Sequence, residues 1–197
     1  MAITKGINIH CSDLSTVGGI RTILIRSWAE DDVVVYANTA STHSITSIKD
    51  SGGVAATWFV YEFKNELPTL SVTGARENGS TSYECSLNFM MPDMDNTKAA
   101  VLQSLMDSCM MAIAIGNNGK SYVIGASEKY MNEATDGAHR NQTFCSMTAL
   151  EGASGAAYND DSGWTVTLAC KQWELPRLYA SPGVITQYVT SDTSTTS

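Results

Sequence analysis

This sequence predicts a mainly β fold: an antiparallel β-sandwich or flattened barrel with one packed α-helix and extended terminal arms. Three observations carry that expectation. Segments of alternating apolar and polar residues recur along most of the chain. Turn residues, chiefly Asn, Asp and Gly, separate those segments. Only one stretch, about residues 96–109, has the periodicity of a helix.

The strands follow in order. Residues 20–28 (IRTILIRSW) alternate Ile20, Thr22 and Leu24 against Arg21, Ile23 and Ile25. A short β-branched run covers 33–36. Residues 56–64 (ATWFVYEFK) form the most aromatic segment, with Trp58, Val60 and Glu62 on one side and Phe59, Tyr61 and Phe63 on the other. Residues 82–90 place Tyr83, Cys85, Leu87 and Phe89 on one face and Ser82, Glu84, Ser86 and Asn88 on the other, the pattern of a half-buried strand. Residues 110–115 and 121–125 flank Gly116-Asn117-Asn118-Gly119, a hairpin signal because Asn and Gly tolerate positive φ. Residues 143–150 and 164–170 complete the series. In the last of these, Trp164, Val166 and Leu168 oppose Thr165, Thr167 and Ala169.

The helix has a start signal in Pro92, Asp93, Asp95 and Asn96. Val101, Leu102, Leu105, Met106 and Cys109 then form one apolar stripe, suited to lying on a sheet. Around this core the expected organisation is an N-terminal arm (1–19), a sandwich domain (20–180) and a Ser/Thr-rich C-terminal arm (181–197). Residues 186–197 are Ser, Thr and Asp apart from Gln187, Tyr188 and Val189, which gives the end of the chain little apolar area to bury. Both ends are expected to serve assembly.

Composition narrows the function. The 197 residues are 43% hydrophobic and only 16% charged, below the usual quarter for a soluble chain. Low charge suits a surface that neighbours cover. The net charge of −8 argues against tight nucleic-acid binding, which needs Lys and Arg to neutralise phosphate. The five cysteines (Cys11, Cys85, Cys109, Cys145 and Cys170) are odd in number and contain no C-x-x-C pair, so they are expected to be buried free thiols. The first residues lack an apolar signal stretch, and no run approaches the roughly 20 apolar residues of a membrane helix. No membrane anchor is expected, and the site of synthesis is expected to be the cytoplasm. The longest apolar run, 109–115, has the length of a buried strand.

Motifs with chemistry are weak here. Residues 114–121 (AIGNNGKS) approach a phosphate-binding loop, but Ala114 stands where the first Gly belongs. A strand follows instead of a helix whose N-terminus would hold phosphate. Asp93/Asp95 and Asp160/Asp161 lack the spaced oxygens of a calcium loop. His10, His43 and His139 are scattered, and His10-Cys11 has no second pair to complete a zinc site. Asn78 and Asn141 begin N-x-S/T triplets. Glu62, Glu66, Glu84 and Glu174 lie in or near strands, where a pair of carboxylates would be needed for sugar hydrolysis. No catalytic residue, cofactor or metal is expected, and the chain is not expected to be an enzyme.

Four stretches resemble the tail-tube proteins of tailed bacteriophages. The first is Ile3-Thr4-Lys5-Gly6-Ile7 with Cys11-Ser12-Asp13 and Gly18-Gly19-Ile20. The second is Ile45-Thr46-Ser47-Ile48 with Tyr61-Glu62-Phe63. The third is Ser71-Val72-Thr73 with Asn78-Gly79 and Tyr83-Glu84. The fourth joins Asn117-Asn118-Gly119 and Tyr122-Val123-Ile124-Gly125 to Gly152-Ala153-Ser154-Gly155, Asp161-Ser162-Gly163-Trp164 and Trp173-Glu174-Leu175-Pro176. The resemblance implies a structural virion protein whose partners are copies of itself. Hexameric rings would stack into a tube, contact other tail proteins, and let DNA pass without tight binding. Six copies at −8 each carry −48 per ring, which repels phosphate. Alternatives are a tail terminator, a baseplate ring or a capsid decoration protein. From another class, a carbohydrate-binding sandwich would use exposed aromatics such as Trp28 or Trp173.

Overall fold

In the computed structural model the described residues are 18–29, 31–39, 42–50, 57–63, 68–129, 139–140, 142–155, 160, 162–180 and 189–190. Most of both expected arms therefore lies outside them. Thirteen strands and one helix occur among these residues. They are β1 (Ile20–Ser27), β2 (Val33–Thr39), β3 (Thr42–Lys49), β4 (Trp58–Glu62), β5 (Thr69–Glu77), β6 (Ser80–Pro92), α1 (Asn96–Met106), β7 (Met110–Gly116), β8 (Ser121–Ile124), β9 (His139–Arg140), β10 (Ser146–Ala153), β11 (Gly163–Gln172), β12 (Arg177–Tyr179) and β13 (Val189–Thr190).

Two sheets form. The larger runs β13-β4-β1-β7-β8-β12-β3-β2-β9, and the smaller runs β10-β11-β6-β5. Pairing is antiparallel except at β12–β3 and β13–β4. Neither order closes on itself, so the molecule is an open sandwich and not a barrel. The mainly β fold with one helix is as expected. β3, β5, β12 and the two-residue β9 and β13 are additions to the expected strands.

The large sheet rolls. In a flat sheet β2 would lie five places from β1, about 24 Å away at roughly 4.8 Å per strand. Only residues 28–32 join the two strands, and they turn: the Asp32 N–H donates to the Ala29 carbonyl at 3.0 Å. Six Cα steps reach about 20 Å even when fully extended. The β2–β3 end therefore folds back over the outer face of β1 and β7. Leu24, Trp58, Met111, Ile113 and Val123 pack there against Val34, Tyr36, Ile45 and Ile48. A bulge between the Val35–Ser47 and Tyr36–Ile45 pairs places Ile45 and Ile48 on one face despite their odd spacing.

The inner face of the same sheet meets the small sheet. Ile23, Ile25, Ala112, Ala114 and Ile124 pack on Cys85, Leu87, Phe89, Val166 and Leu168. The alternation expected for β6 and β11 is thus realised. β4 also alternates: Trp58 and Val60 face the outer cluster while Tyr61 and Phe63 pack on the inner one. Phe59 escapes both and is 53% exposed.

The helix carries the chain from β6 in one sheet to β7 in the other. Asp95 caps it by accepting the Lys98 N–H at 2.7 Å. The expected extension to Cys109 is corrected. The helix ends at Met106, where the Asp107 and Ser108 N–H groups turn back to the Leu105 carbonyl. Leu102 alone on the stripe is fully buried, and Met106 and Cys109 are exposed.

Two stability predictions follow from charged groups in this frame. Arg26 projects from β1 toward the outer layer, 8% exposed, and bonds Asp32 at 2.7 Å; Asp32, 0% exposed, also accepts the Ala29 N–H. Burial raises the Asp32 carboxyl above its ordinary value against the pull of Ala29 and Arg26, so the pair fixes the β1–β2 turn at little net gain. Asp32→Ala strands the buried guanidinium and is expected to cost about 3–5 kcal/mol in chemical denaturation, whereas Arg26→Met with Asp32→Leu recovers most of it. The second concerns the helix cap. The Lys98 N–H and side chain hold Asp95 below its ordinary pKa. A depressed carboxyl stabilises fully above its unfolded pKa, and that contribution is lost as pH falls through the lowered value. The melting-temperature gap between the native chain and Asp95→Ala should therefore close on acidification below about pH 4.

Candidate functional site

The feature that departs most from a closed domain is the β5–β6 hairpin. Its turn is Asn78-Gly79, with φ of +48° and +81°, the two positive values of a tight two-residue hairpin. β11 covers β6 only as far as Tyr83, so the tip is a bare two-stranded ribbon. Every residue from Ser71 to Ser80 is exposed. β5 is also the end of its sheet among the described residues, and no described strand pairs with its outward N–H and C=O groups.

Beside this edge runs an open groove of about 650 Å³. Its apolar lining includes Ile20, Leu70, Val72, Tyr122, Leu175 and Pro176. Val72 and Leu175 are among the most exposed large apolar side chains, at 39% and 53%. The chain enters β1 along this groove. The Ile20 N–H donates to the Pro68 carbonyl (3.3 Å), and the Asn117 N–H and side-chain amide hold the Gly19 and Gly18 carbonyls (3.0 and 3.1 Å).

A second cluster fastens the outer layer. Arg177 of β12, 5% exposed, lies between Glu128 and Glu174; it bonds Glu174 at 2.9 Å and also pairs with Glu128. Its guanidinium stacks 4.7 Å over the Tyr36 ring of β2. Glu174 accepts the Glu128 N–H, and its backbone carbonyl accepts the Gln172 amide (2.8 Å). His43 of β3 stands 3.6 Å from the same carboxylate. Burial first, and then the Glu174 charge, push the Tyr36 phenol well above its ordinary pKa. The arrangement ties β12 and two loops to β2 and β3. Nothing in the sequence marked Arg177 or Glu128, since their only signal is a lone charge beside a strand.

The residues singled out earlier go to separate places. The loop 114–121 is the β7–β8 hairpin, closed by Gly116 and Lys120, and Ser121 continues into a strand. Asp95 and Asp93 serve the helix start, each paired with Lys98. Glu62 and Glu84 are exposed on β4 and β6, apart from Glu174; Glu66, His10 and Asp161 lie outside the described residues. Trp28 is half-buried against Phe144, with ring centres 5.5 Å apart, and Trp173 is half-buried beside the Lys171 ammonium. Cys85, Cys145 and Cys170 are buried thiols as expected, but Cys109 is exposed. No group of three or more His, Cys, Asp or Glu among the described residues is disposed to hold a metal ion. No helix among them is long and apolar enough to cross a membrane.

Arg177→Met leaves two carboxylates together without their cation. Because Glu128 and Glu174 keep partial access to water, the expected cost by denaturant titration lies below the roughly 3–5 kcal/mol of breaking a fully buried pair. Hydrogen exchange should rise first in β2 and β3.

No known family model, curated protein sequence or solved structure matches this chain.

Proposed function

We propose that this chain is a structural subunit that assembles with copies of itself into stacked rings of tail-tube type, through which DNA passes. The observation that supports this most is the state of β5 compared with the other sheet ends. Edges are normally protected by shortness, bulges, charge or proline. β10, the other end of the small sheet, carries a bulge between Met147 and Ala149. β5 is nine residues long, pairs with β6 without a register break, and is uncharged from Thr69 to Ala75. A long, flat, uncharged edge beside an apolar groove is a template for a further strand.

A head-to-tail contact of this kind closes into a ring when its rotation closes, and rings with free faces stack. The net charge of −8 per copy then disfavours adhesion of phosphate to the assembly. Virion membership and the tail location rest on the resemblance of the four stretches quoted above.

Electron microscopy and light scattering of the purified full chain test the reading. Hollow rings, or tubes of them, are expected, while a monomer persisting at high concentration overturns it. Rings that never stack point to a terminator in place of a tube. Val72→Lys, which charges the free edge, is expected to abolish assembly with the melting temperature of the monomer unchanged.

A further inference from the structure

The sequence contains two Asn-Gly pairs, Asn78-Gly79 and Asn118-Gly119, and each lies in the turn of a hairpin. Asparagine is a thermolabile residue, and a glycine after it leaves the next backbone nitrogen unshielded by a side chain. Both pairs are exposed, and a Cβ added to either glycine would meet nothing within 4 Å. Space does not distinguish the two turns, but hydrogen bonds do. The Gly119 N–H donates to the Gly116 carbonyl at 3.0 Å, and the Asn118 side-chain oxygen accepts the Lys120 N–H at 3.0 Å. Next to them, the Asn117 N–H and side-chain amide are tied to Gly19 and Gly18. Among the described residues, neither the Gly79 N–H nor the Asn78 side chain has a hydrogen-bond partner.

We infer that Asn78 is a self-modification site, converted by water to aspartate and isoaspartate through attack of the Gly79 nitrogen on its side chain, whereas the fold protects Asn118. The attack needs the Asn78 side-chain carbon against the Gly79 nitrogen. A closed turn withholds that approach, so the turn must open locally. Such opening costs least where backbone hydrogen bonds face solvent and little apolar area is buried. The β5–β6 tip meets both conditions. β11 covers β6 only as far as Tyr83, and the ribbon from Ser71 to Ser80 is exposed on both faces. Opening also releases Asn78 from a φ of +48°, a value uncommon outside glycine. The β7–β8 turn instead joins strands in which Ile113, Ala114, Val123 and Ile124 are fully buried.

The step balances with water as the co-reactant. The Gly79 nitrogen gives its proton to solvent base and bonds to the Asn78 side-chain carbonyl carbon. The carbon–nitrogen bond of the side-chain amide breaks, and ammonia leaves with a proton taken back from solvent. The cyclic imide then adds water, and a carbon–nitrogen bond of the ring breaks. Cleavage at the side-chain carbonyl gives aspartate, and cleavage at the main-chain carbonyl gives isoaspartate. Water is consumed and ammonia released in equal amounts, with no oxidation or reduction. Either product adds a negative charge beside Glu77. Isoaspartate also lengthens the main chain by a carbon inside a tight two-residue turn, which spoils its geometry. On the assembly reading above, on which this consequence rests, the modified hairpin no longer offers the flat edge that a further strand needs.

The test follows the full chain, kept dilute in ammonia-free buffer at mildly alkaline pH. Samples are digested at acidic pH, where the reaction stops, and the peptides are resolved by liquid chromatography and mass spectrometry. The Asn78 peptide should convert about thirtyfold faster than the Asn118 peptide, a barrier difference of roughly 2 kcal/mol that two ordinary hydrogen bonds supply. In denaturant the two rates should converge. Equal rates in the folded chain, or a faster Asn118, overturn the inference. A ratio that persists in denaturant also overturns it, since flanking residues and not the fold would then set the difference. Electron microscopy of fresh and fully converted chain at assembly concentration reads the consequence. Rings from both overturn the loss of the edge and leave the assembly reading standing. No rings from fresh chain overturns the assembly reading and leaves the conversion rates untouched.

Discussion

β7 has no polar side chain at all: Met110-Met-Ala-Ile-Ala-Ile-Gly116 is apolar on both of its faces. A strand of this kind needs an apolar layer above and below it, and its backbone must be paired on both sides. The rest of the fold meets those two demands. β1 and β8 pair with its edges. The small sheet covers one face through β6 and β11. The roll of the large sheet covers the other through β2 and β3. Without the roll, Met111 and Ile113 would face water, and at about 25 cal/mol per Å² neither exposure is small.

Two buried ionic groups stand where the roll is made. Arg26 and Asp32 hold the turn from β1 into β2, where the chain leaves one layer for the next. Arg177, Glu128 and Glu174 hold β12, the strand through which β8 and β3 become one sheet. Buried ions are a poor source of net stability because desolvation offsets their attraction. Their value here is directional. An apolar contact tolerates sliding, whereas a guanidinium between two carboxylates and over the Tyr36 ring accepts one arrangement.

The elements visible in the sequence are those whose side chains alternate, as in β6 and β11, or form an unbroken apolar run, as in β7. β1, β6, β7, β8 and β11 each present a regular face to a core. β3 was invisible because its bulge puts Ile45 and Ile48 three apart on one face, which erases the alternation. β5 was invisible for the opposite reason. It is exposed on both faces, so nothing selects an apolar stripe, and only the Asn78-Gly79 turn announces it. Cys109 continues the apolar stripe in number three residues past the helix, but hydrogen bonds to Leu105 end the spiral at Met106. Glu128 meets Arg177 from 49 positions away, and Cys85, Cys145 and Cys170 share one core cluster; periodicity within a segment carries no information about such meetings.

The same contrast bears on how copies would meet. A net charge of −8 repels copies at long range, but at physiological salt that repulsion decays within about 8 Å. Strand pairing acts at about 4.8 Å, inside that distance, so only charges near the joint count. On β5 those are Arg76 and Glu77 at its far end, of opposite sign, and the groove beside Leu70 and Val72 is mostly apolar. Under the proposed assembly, subunits would stay dispersed until edges align and would then gain backbone hydrogen bonds and burial together. Val72 and Leu175, 39% and 53% exposed, are apolar area that the proposed pairing would cover.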